Sequence, residues 1–464
     1  MSSARSVLLL NPPGRDVYIR DYYCSKTSRS DYTFPPIDLL HAGGNFRQRG
    51  WDVAAIDAIA GGLSIEETLS RIAAAKPDAV FTLAGAVSAE EDANFLKLLR
   101  PVAPHAVLIG SGDVLIDHGR KWLERGLLDA VCLDFGSPSP VRFAAGMRDG
   151  LTDLIFRHDG EVMDGGRALG RTVSTGIPVH DLFLSFAYHF PFARHRPFAS
   201  ILTDYGCPFR CSFCVMAGLH YHRRPMEDVA AELQSLKAAG IREFVVWDQT
   251  FAADRKRGLQ FLDLLPKGKD RFGWTCLIRP DRIDRELARL MAAKGCHTVI
   301  MGVETANEES LKAIKKDFTL DQVRDAFACC REEGLESVAT VIVGLPGETE
   351  TDVVATMDFI CAIDPDYLSV HTAVPRSGTG LRAEMVEAGL ITSDMDVMDQ
   401  SGVQVAVSSD AMDAETISAL RKTFNRRFHL RPRYLARMFF RRLLQPRLFV
   451  EQFRQGLRLL ARNV

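Results

Sequence analysis

Tyr205-Gly206-Cys207-Pro208-Phe209-Arg210-Cys211-Ser212-Phe213-Cys214 is the stretch on which the reading of this chain turns. Three thiols fall within eight residues, directly after an apolar run at 199–204 that reads as a strand. A loop of that spacing can wrap three irons of a cubane cluster. Ferredoxin-type clusters take a fourth cysteine at fixed spacing, whereas the next one here is Cys276, 62 residues on. Three protein ligands leave one iron open, as catalytic metal sites leave a position for substrate. An open iron can chelate the amino and carboxylate groups of an amino-acid-like ligand. Zinc held by the three cysteines with His220 or His222 is a second reading, although structural zinc sites usually pair ligands as two close couples. A chance grouping of core cysteines is the third.

Outward from the loop, strands alternate with helices. Apolar runs at 199–204, 242–247, 272–277, 297–302, 337–343 and 367–371 predict strands. Helices are expected near 226–239, 255–265, 284–294, 308–314, 321–334 and 350–362. Six such units in about 190 residues predict an open or partial βα barrel, whose chemistry sits at the C-terminal ends of the strands. Upstream, strands at Ser6–Leu10, Asp52–Asp57, Asp78–Leu83, Ala106–Gly110 and Asp129–Asp134 alternate with helices around 36–49, 64–75, 88–99, 114–125 and 139–149. That pattern predicts a doubly wound, Rossmann-like parallel sheet. Ligands of such sheets bind beyond the strands' carboxyl ends, here Asn11-Pro12-Pro13-Gly14, Ala84-Gly85, Gly110-Ser111-Gly112 and Phe135-Gly136-Ser137. Tight turns without a ligand explain the same residues. The expected layout is an α/β chain: a sheet domain at 1–150, a Gly-, Arg- and His-rich linker at 151–197, a partial barrel at 198–400 and a basic helical region at 401–464.

The chain has 464 residues, 47% hydrophobic and 25% charged, an ordinary globular composition that excludes disordered and collagen-like chains. The apolar run Val7–Leu10 stops at Asn11-Pro12-Pro13, and no apolar run reaches the roughly 18–20 residues of a membrane span. Ten cysteines are too sparse for a disulfide scaffold, so a reducing, cytoplasmic location is expected. Net charge is −2, which gives no reason to expect a nucleic-acid partner. That figure hides an asymmetry. Residues 421–464 hold thirteen Arg or Lys against Glu451, a net +12, and the rest of the chain carries −14. Phe449, Phe453, Leu457 and Leu460 fall at helical spacing, predicting an amphipathic helix. It either docks on the acidic body or offers a peripheral membrane or other anionic contact.

The cysteine loop resembles that of radical S-adenosylmethionine (SAM) enzymes, with cysteines separated by three and two residues and an aromatic, Phe213, before the last. Four more segments resemble that family in order. They are Val245–Phe251, with Asp248 where an acid meets the SAM amino group; Trp274–Asp281, containing Arg279; and Gly302-Val303-Glu304-Thr305, near the ribose and methionine moiety. The last is Val341–Thr349, whose Gly344, Pro346, Gly347 and Glu348 belong to a loop packing on the adenine. The doubly wound domain ahead of the barrel is similar to that of cobalamin-dependent members. So are Arg20–Lys26 leading to Phe34–Leu40, and Phe428–Tyr434 near the end.

The resemblance implies a [4Fe-4S] cluster on Cys207, Cys211 and Cys214, with SAM held by Phe213, Asp248, Arg279, Glu304 and the Gly344–Glu348 loop. It implies cobalamin over the N-terminal strand ends at Asn11, Pro12, Gly110 and Gly112. Many cobalamin domains carry Asp-x-His-x-x-Gly, whose histidine ligates cobalt; Asn11–Asp16 has no histidine, so binding without histidine coordination is implied. A Gly-Glu pair often closes the fifth strand, where this chain has Asp134-Phe135-Gly136-Ser137. The implied activity is reductive SAM cleavage, with cobalamin-dependent methyl transfer to an unactivated carbon of a small molecule. The electron donor would be flavodoxin- or ferredoxin-like. A cobalamin-dependent cyclase or oxidase of the tetrapyrrole type is the alternative within the fold, and a non-catalytic iron–sulfur or zinc regulator the alternative outside it. Of the other cysteines, Cys132, Cys276, Cys296, Cys329, Cys330 and Cys361 read as core thiols, and Cys24 sits in a polar loop.

Overall fold

The structure is a computed structural model that describes residues 5–22, 24–28, 32–168, 174–393 and 407–443. The chain divides into two compact units, one of residues 1–190 with 197–204 and 222–241, the other of residues 191–196 with 205–221 and 242–464.

The first unit is built on a seven-stranded sheet. Ser6–Asn11 and Ala79–Leu83 are almost wholly buried apolar runs, the mark of parallel strands covered on both faces. Ser6–Asn11 pairs in parallel with Asp52–Asp57 on one side and Ala79–Leu83 on the other. Val107–Ser111 and Ala130–Cys132 follow, also in parallel. In chain order the five parallel strands therefore stand 2-1-3-4-5, the flavodoxin-like arrangement. Helices Ile37–Gln48, Ile65–Ala75, Ala89–Val102 and Asp113–Glu124 make the crossovers. Ile65–Ala75 starts at a complete capping box, Ser64 with Glu67, a reciprocal use of two backbone donors left free at a helix start.

The segment expected to be an irregular linker is different. Leu154–His158 and Glu161–Asp164 form a hairpin that extends the sheet in antiparallel fashion beyond Ala130–Cys132. Its turn is Asp159-Gly160, both at positive φ (51° and 87°), the backbone a tight hairpin turn demands. Ala199–Ile201 is the first strand of a six-stranded sheet, as expected of the strand that opens the barrel, and helix Met226–Ala238 follows it in the chain. Glu232 on that helix, fully buried, bonds His180 Nε2 at 2.7 Å and Arg224 Nη1 at 2.6 Å within the first unit.

In the second unit Glu243–Val246, Gly273–Ile278, Cys296–Glu304, Glu336–Val343 and Tyr367–Thr372 pair in parallel, each beside its successor in sequence. That sequential order is barrel topology left open. Helices Arg255–Leu264, Arg285–Ala293, Leu320–Glu332 and Glu350–Ile363 cross between strands, each capped by a side chain: Asp254, Asp284, Thr319 and Thr349. Phe244, Phe251, Phe261 and Trp274 pack as one aromatic group, all fully buried.

Helices Ala414–His429 and Pro432–Leu443 close the described chain. Three arginines of the described basic region pair with acids of their own unit. Arg427 pairs with Asp358, and Arg431 and Arg437 both reach Asp364, at 3.1 and 2.6 Å. Phe449, Phe453, Leu457 and Leu460 lie outside the described residues. Among the described residues no helix is long and apolar enough to cross a membrane.

Candidate active site

The cysteine loop is pinned by its backbone. Gly206 has φ +79°, and a Cβ there would stand 2.1 Å from the carbonyl oxygen of His220, so only glycine fits. Ser212 N donates to Ile314 O at 3.0 Å, and Leu381 N to Ser212 O at 2.9 Å. Phe213 packs against Val374, Leu381, Met385 and Ile391. The loop thus hangs between the 310–318 segment and the helix Gly380–Glu387.

Cys211 is buried, and Cys207 and Cys214 are partly so. Burial pushes the Cys207 thiol up and the Cys214 thiol up to about 12, and each thiol also feels Cys211. Backbone N–H groups of Phe209 and Met216 and the Thr250 side chain bond these sulfurs and work the other way. Two cations face the loop. Arg279 Nη1 lies 3.7 Å from Cys211 Sγ; its guanidinium stacks over Phe209 at 4.0 Å and is held by Asp281 at 2.8 Å and by Lys316 O. Lys316 Nζ is 2.6 Å from Glu304 Oε1 and lies over the Phe213 ring. Burial opposes the Lys316 charge, but Glu304 and Cys211 outweigh it and raise its pKa.

This donor set fits an iron–sulfur cluster. Three thiolates on one loop supply three irons, sulfur-directed N–H groups tune such clusters, and the two cations offset the negative charge of a thiolate-bound cubane. Among the described residues no three His, Cys, Asp or Glu side chains gather tightly enough to hold a single metal ion. His222 instead lies 3.5 Å from Asp134 in the first unit.

Glu304 ends its strand at a bulge: the register to the next strand shifts between Gly302 and Glu304, and Glu304 has φ +65°. Bulges re-aim side chains beside active sites. Gly302 makes the room, since a Cβ there would meet Glu304 Oε1 at 2.3 Å. The neighbouring Thr305 donates to Glu348 Oε1 at 3.0 Å, and Gly344 N to Glu348 Oε2 at 2.9 Å. Burial raises the Glu348 pKa to about 7. Gly344 has φ +87°, Pro346 is half-buried, and the exposed Gly347 donates its N–H to Asp410 at 2.8 Å. Asp248 is buried two residues past its strand, within electrostatic reach of Cys276.

The structure therefore brings Cys207, Cys211, Cys214, Phe213, Arg279 and Glu304 into one group, tied through Thr305 to Glu348 and Gly344. Lys316 and Thr250 were not singled out in the sequence. Lys316 follows a short helix and belongs to no strand end, so no period or spacing marks it.

In the first unit, Asn11 is occupied by its own fold: Nδ2 donates to Asp57 at 2.9 Å, and Oδ1 accepts from Arg20 at 3.0 Å. Arg20, fully buried against Asp92, also bonds Pro12 O. A Cβ on Gly110 would strike Leu115 and Leu128 at 2.6 Å, and one on Gly112 (φ +134°) would strike Ala84 O at 1.8 Å. These glycines have packing reasons of their own.

Residues 201–360 match the model of the Radical SAM superfamily. Over those residues the chain is similar to radical SAM enzymes. An uncharacterized methyltransferase of Pyrococcus horikoshii is 28% identical over 421 residues, covering 88% of this chain and 90% of its own. The anaerobic magnesium-protoporphyrin IX monomethyl ester cyclase of Rubrivivax gelatinosus is 24% identical over 435 residues, 89% and 77% of the two chains. Among solved structures, the methyltransferase TsrM of Kitasatospora setae, with cobalamin and a [4Fe-4S] cluster bound, aligns with a TM-score of 0.64 at 20% identity over 83% of this chain and 75% of its own. The cobalamin-dependent enzyme OxsB aligns at 0.73 with 14% identity, over 97% and 72%. The fold is that of cobalamin-dependent radical SAM enzymes.

Proposed function

We propose that this enzyme is a cobalamin-dependent methyltransferase that acts on an unactivated carbon of a small molecule. The observation that carries the reading is the three-thiol loop faced by Arg279 and Lys316, in a chain that also holds a 2-1-3-4-5 sheet. When bound, the cluster supplies one electron to SAM and cobalamin supplies a transferable methyl group, chemistry that belongs to the cofactors. Cys207, Cys211 and Cys214 hold the cluster. Arg279 and Lys316 balance its charge, and the Lys316–Glu304 pair fixes the carboxylate beside it. Asp248 and the Gly344–Glu348 loop orient SAM, and the strand ends around Asn11, Pro12, Gly110 and Gly112 receive the corrinoid. Electrons come from a flavodoxin- or ferredoxin-like donor in a reducing cytoplasm.

The test needs no substrate. Anaerobically reconstituted protein should hold about four irons and four sulfides. Reduced with SAM carrying a labelled methyl group and with cobalamin, it should yield labelled methylcobalamin and S-adenosylhomocysteine. A colourless protein with one zinc would sink the radical reading. The near full-length similarity to the cyclase favours a second reading, ring formation or oxidation. Formation of 5′-deoxyadenosine without methylcobalamin or S-adenosylhomocysteine would decide for it.

A further inference from the structure

Helix Pro432–Leu443 has two unlike sides. Tyr434 is buried and Arg437 half-buried, which turns that side toward its own unit, where Arg437 pairs with Asp364. Leu435, Ala436 and Phe440 are exposed instead, with the exposed Arg433 beside them at helical spacing. Leu430, directly after helix Ala414–His429, is exposed too. The fractions are 54% for Leu430, 50% for Leu435 and 68% for Phe440. A single apolar side chain on a surface is ordinary. Here three of the ten large apolar side chains exposed among the described residues fall within eleven positions, and Phe440 is the most exposed of all.

The same stretch is cationic. Arg427, Arg431 and Arg437 are held by Asp358 and Asp364, but the exposed Arg426 and Arg433 pair with no acid among the described residues. Past Leu443 the sequence keeps the same mixture, with Arg447, Arg454, Arg458 and Arg462 against Glu451. Residues 421–464 sum to +12 on a chain that otherwise carries −14. A second copy of this chain would bring the same +12 to the contact and be repelled. An apolar face beside unpaired arginines matches a lipid surface better. Hydrocarbon takes the leucine and phenylalanine side chains, and anionic headgroups take the arginines, whose long stems reach from one layer to the other.

We infer that helix Pro432–Leu443 lies in the surface of an anionic lipid bilayer, with Leu430, Leu435 and Phe440 inserted and Arg426 and Arg433 among the headgroups. The rest of the chain, at −14, is repelled by the same surface, which leaves this end to make the contact. The contact is peripheral, since among the described residues no helix is long and apolar enough to cross a membrane. It does not depend on the reaction proposed above.

The test is co-sedimentation of the cluster-reconstituted full chain with vesicles of phosphatidylcholine, alone or mixed with phosphatidylglycerol. The wild type should bind the mixed vesicles, bind the neutral ones about tenfold more weakly, and come off as salt is raised. Replacing the three exposed side chains together, Leu430→Ser, Leu435→Ser and Phe440→Ser, should cut affinity for the mixed vesicles about tenfold. Circular dichroism and iron content should stay as in the wild type. If that variant is unfolded, Phe440→Ser alone should weaken binding about threefold. Arg426→Glu with Arg433→Glu should weaken binding and flatten its salt dependence. A wild type that binds neither vesicle, or both equally, overturns the proposal. Binding that the serine variants retain in full overturns it too, because the contact then belongs to residues after Leu443. Sedimentation velocity without lipid reads the other occupant: a dimer that the serine variants abolish would give this face to a second copy and overturn the proposal as well.

Discussion

Single residues set the terms of the cluster loop. At Gly206 a left-handed backbone and a carbonyl 2.1 Å from any Cβ act together. Gly206→Ala should therefore lower iron and sulfide per chain by more than half after reconstitution, with the barrel's circular dichroism kept. Glu348 titrates near neutrality for a stated reason: burial raises it from 4.5 to about 7, against the bonds from Gly344 N and Thr305. A carboxyl whose folded pKa lies above its unfolded value favours folding while protonated. Its contribution is complete below 4.5 and is lost as pH rises toward 7, at a slope of up to about 1.4 kcal/mol per pH unit. Thermal melts from pH 5 to 8 should show that decline in the wild type and a flatter profile in Glu348→Gln; parallel profiles would count against Glu348 as its source. The cysteine spacing and Gly344–Glu348 were legible in the sequence because a loop motif is local. Lys316 and Thr250 were not, since each reaches the thiols from a segment distant in sequence.

At the scale of elements, the bulge at Glu304 exchanges backbone strain for a buried ion pair. Positive φ at a non-glycine residue costs of order 1 kcal/mol, and breaking a buried pair by removing one partner costs about 3–5 kcal/mol. Glu304→Gly relieves the first and incurs the second, so it should destabilise by about 2–4 kcal/mol in denaturant melts. Replacing both partners, Glu304→Met with Lys316→Met, should recover much of the loss while cluster retention falls. Helix starts were legible where a cap is written in sequence, as at Ser64-x-x-Glu67 and Thr349-x-x-Asp352. The hairpin around Asp159-Gly160 carried the same kind of signal, an Asp-Gly pair between short strands, yet Gly and Arg on either side gave the segment a loop-like composition. Glu232 on helix Met226–Ala238 meets His180 and Arg224, contacts that no local pattern records.

For the whole molecule, cluster binding and folding should be linked, because a ligand held only by the native state stabilises it. The reconstituted protein should melt several degrees above the metal-free chain, and chelation under reducing conditions should reverse the gain; equal melting points would argue that the loop is not a cluster site. The −14 body and +12 tail were readable from composition, and three of the described cations, Arg427, Arg431 and Arg437, are spent on Asp358 and Asp364. The antiparallel hairpin Leu154–Asp164 has a consequence for the molecule's behaviour in a crowded solution. A parallel sheet that ended at Ala130–Cys132 would offer a bare row of amides to any passing strand. Here the last strand is four residues long, mostly exposed, and begins and ends on the acids Glu161 and Asp164, a short and charged border that a second chain cannot readily extend. The hairpin thus leaves this border of the sheet a poor template for a further strand.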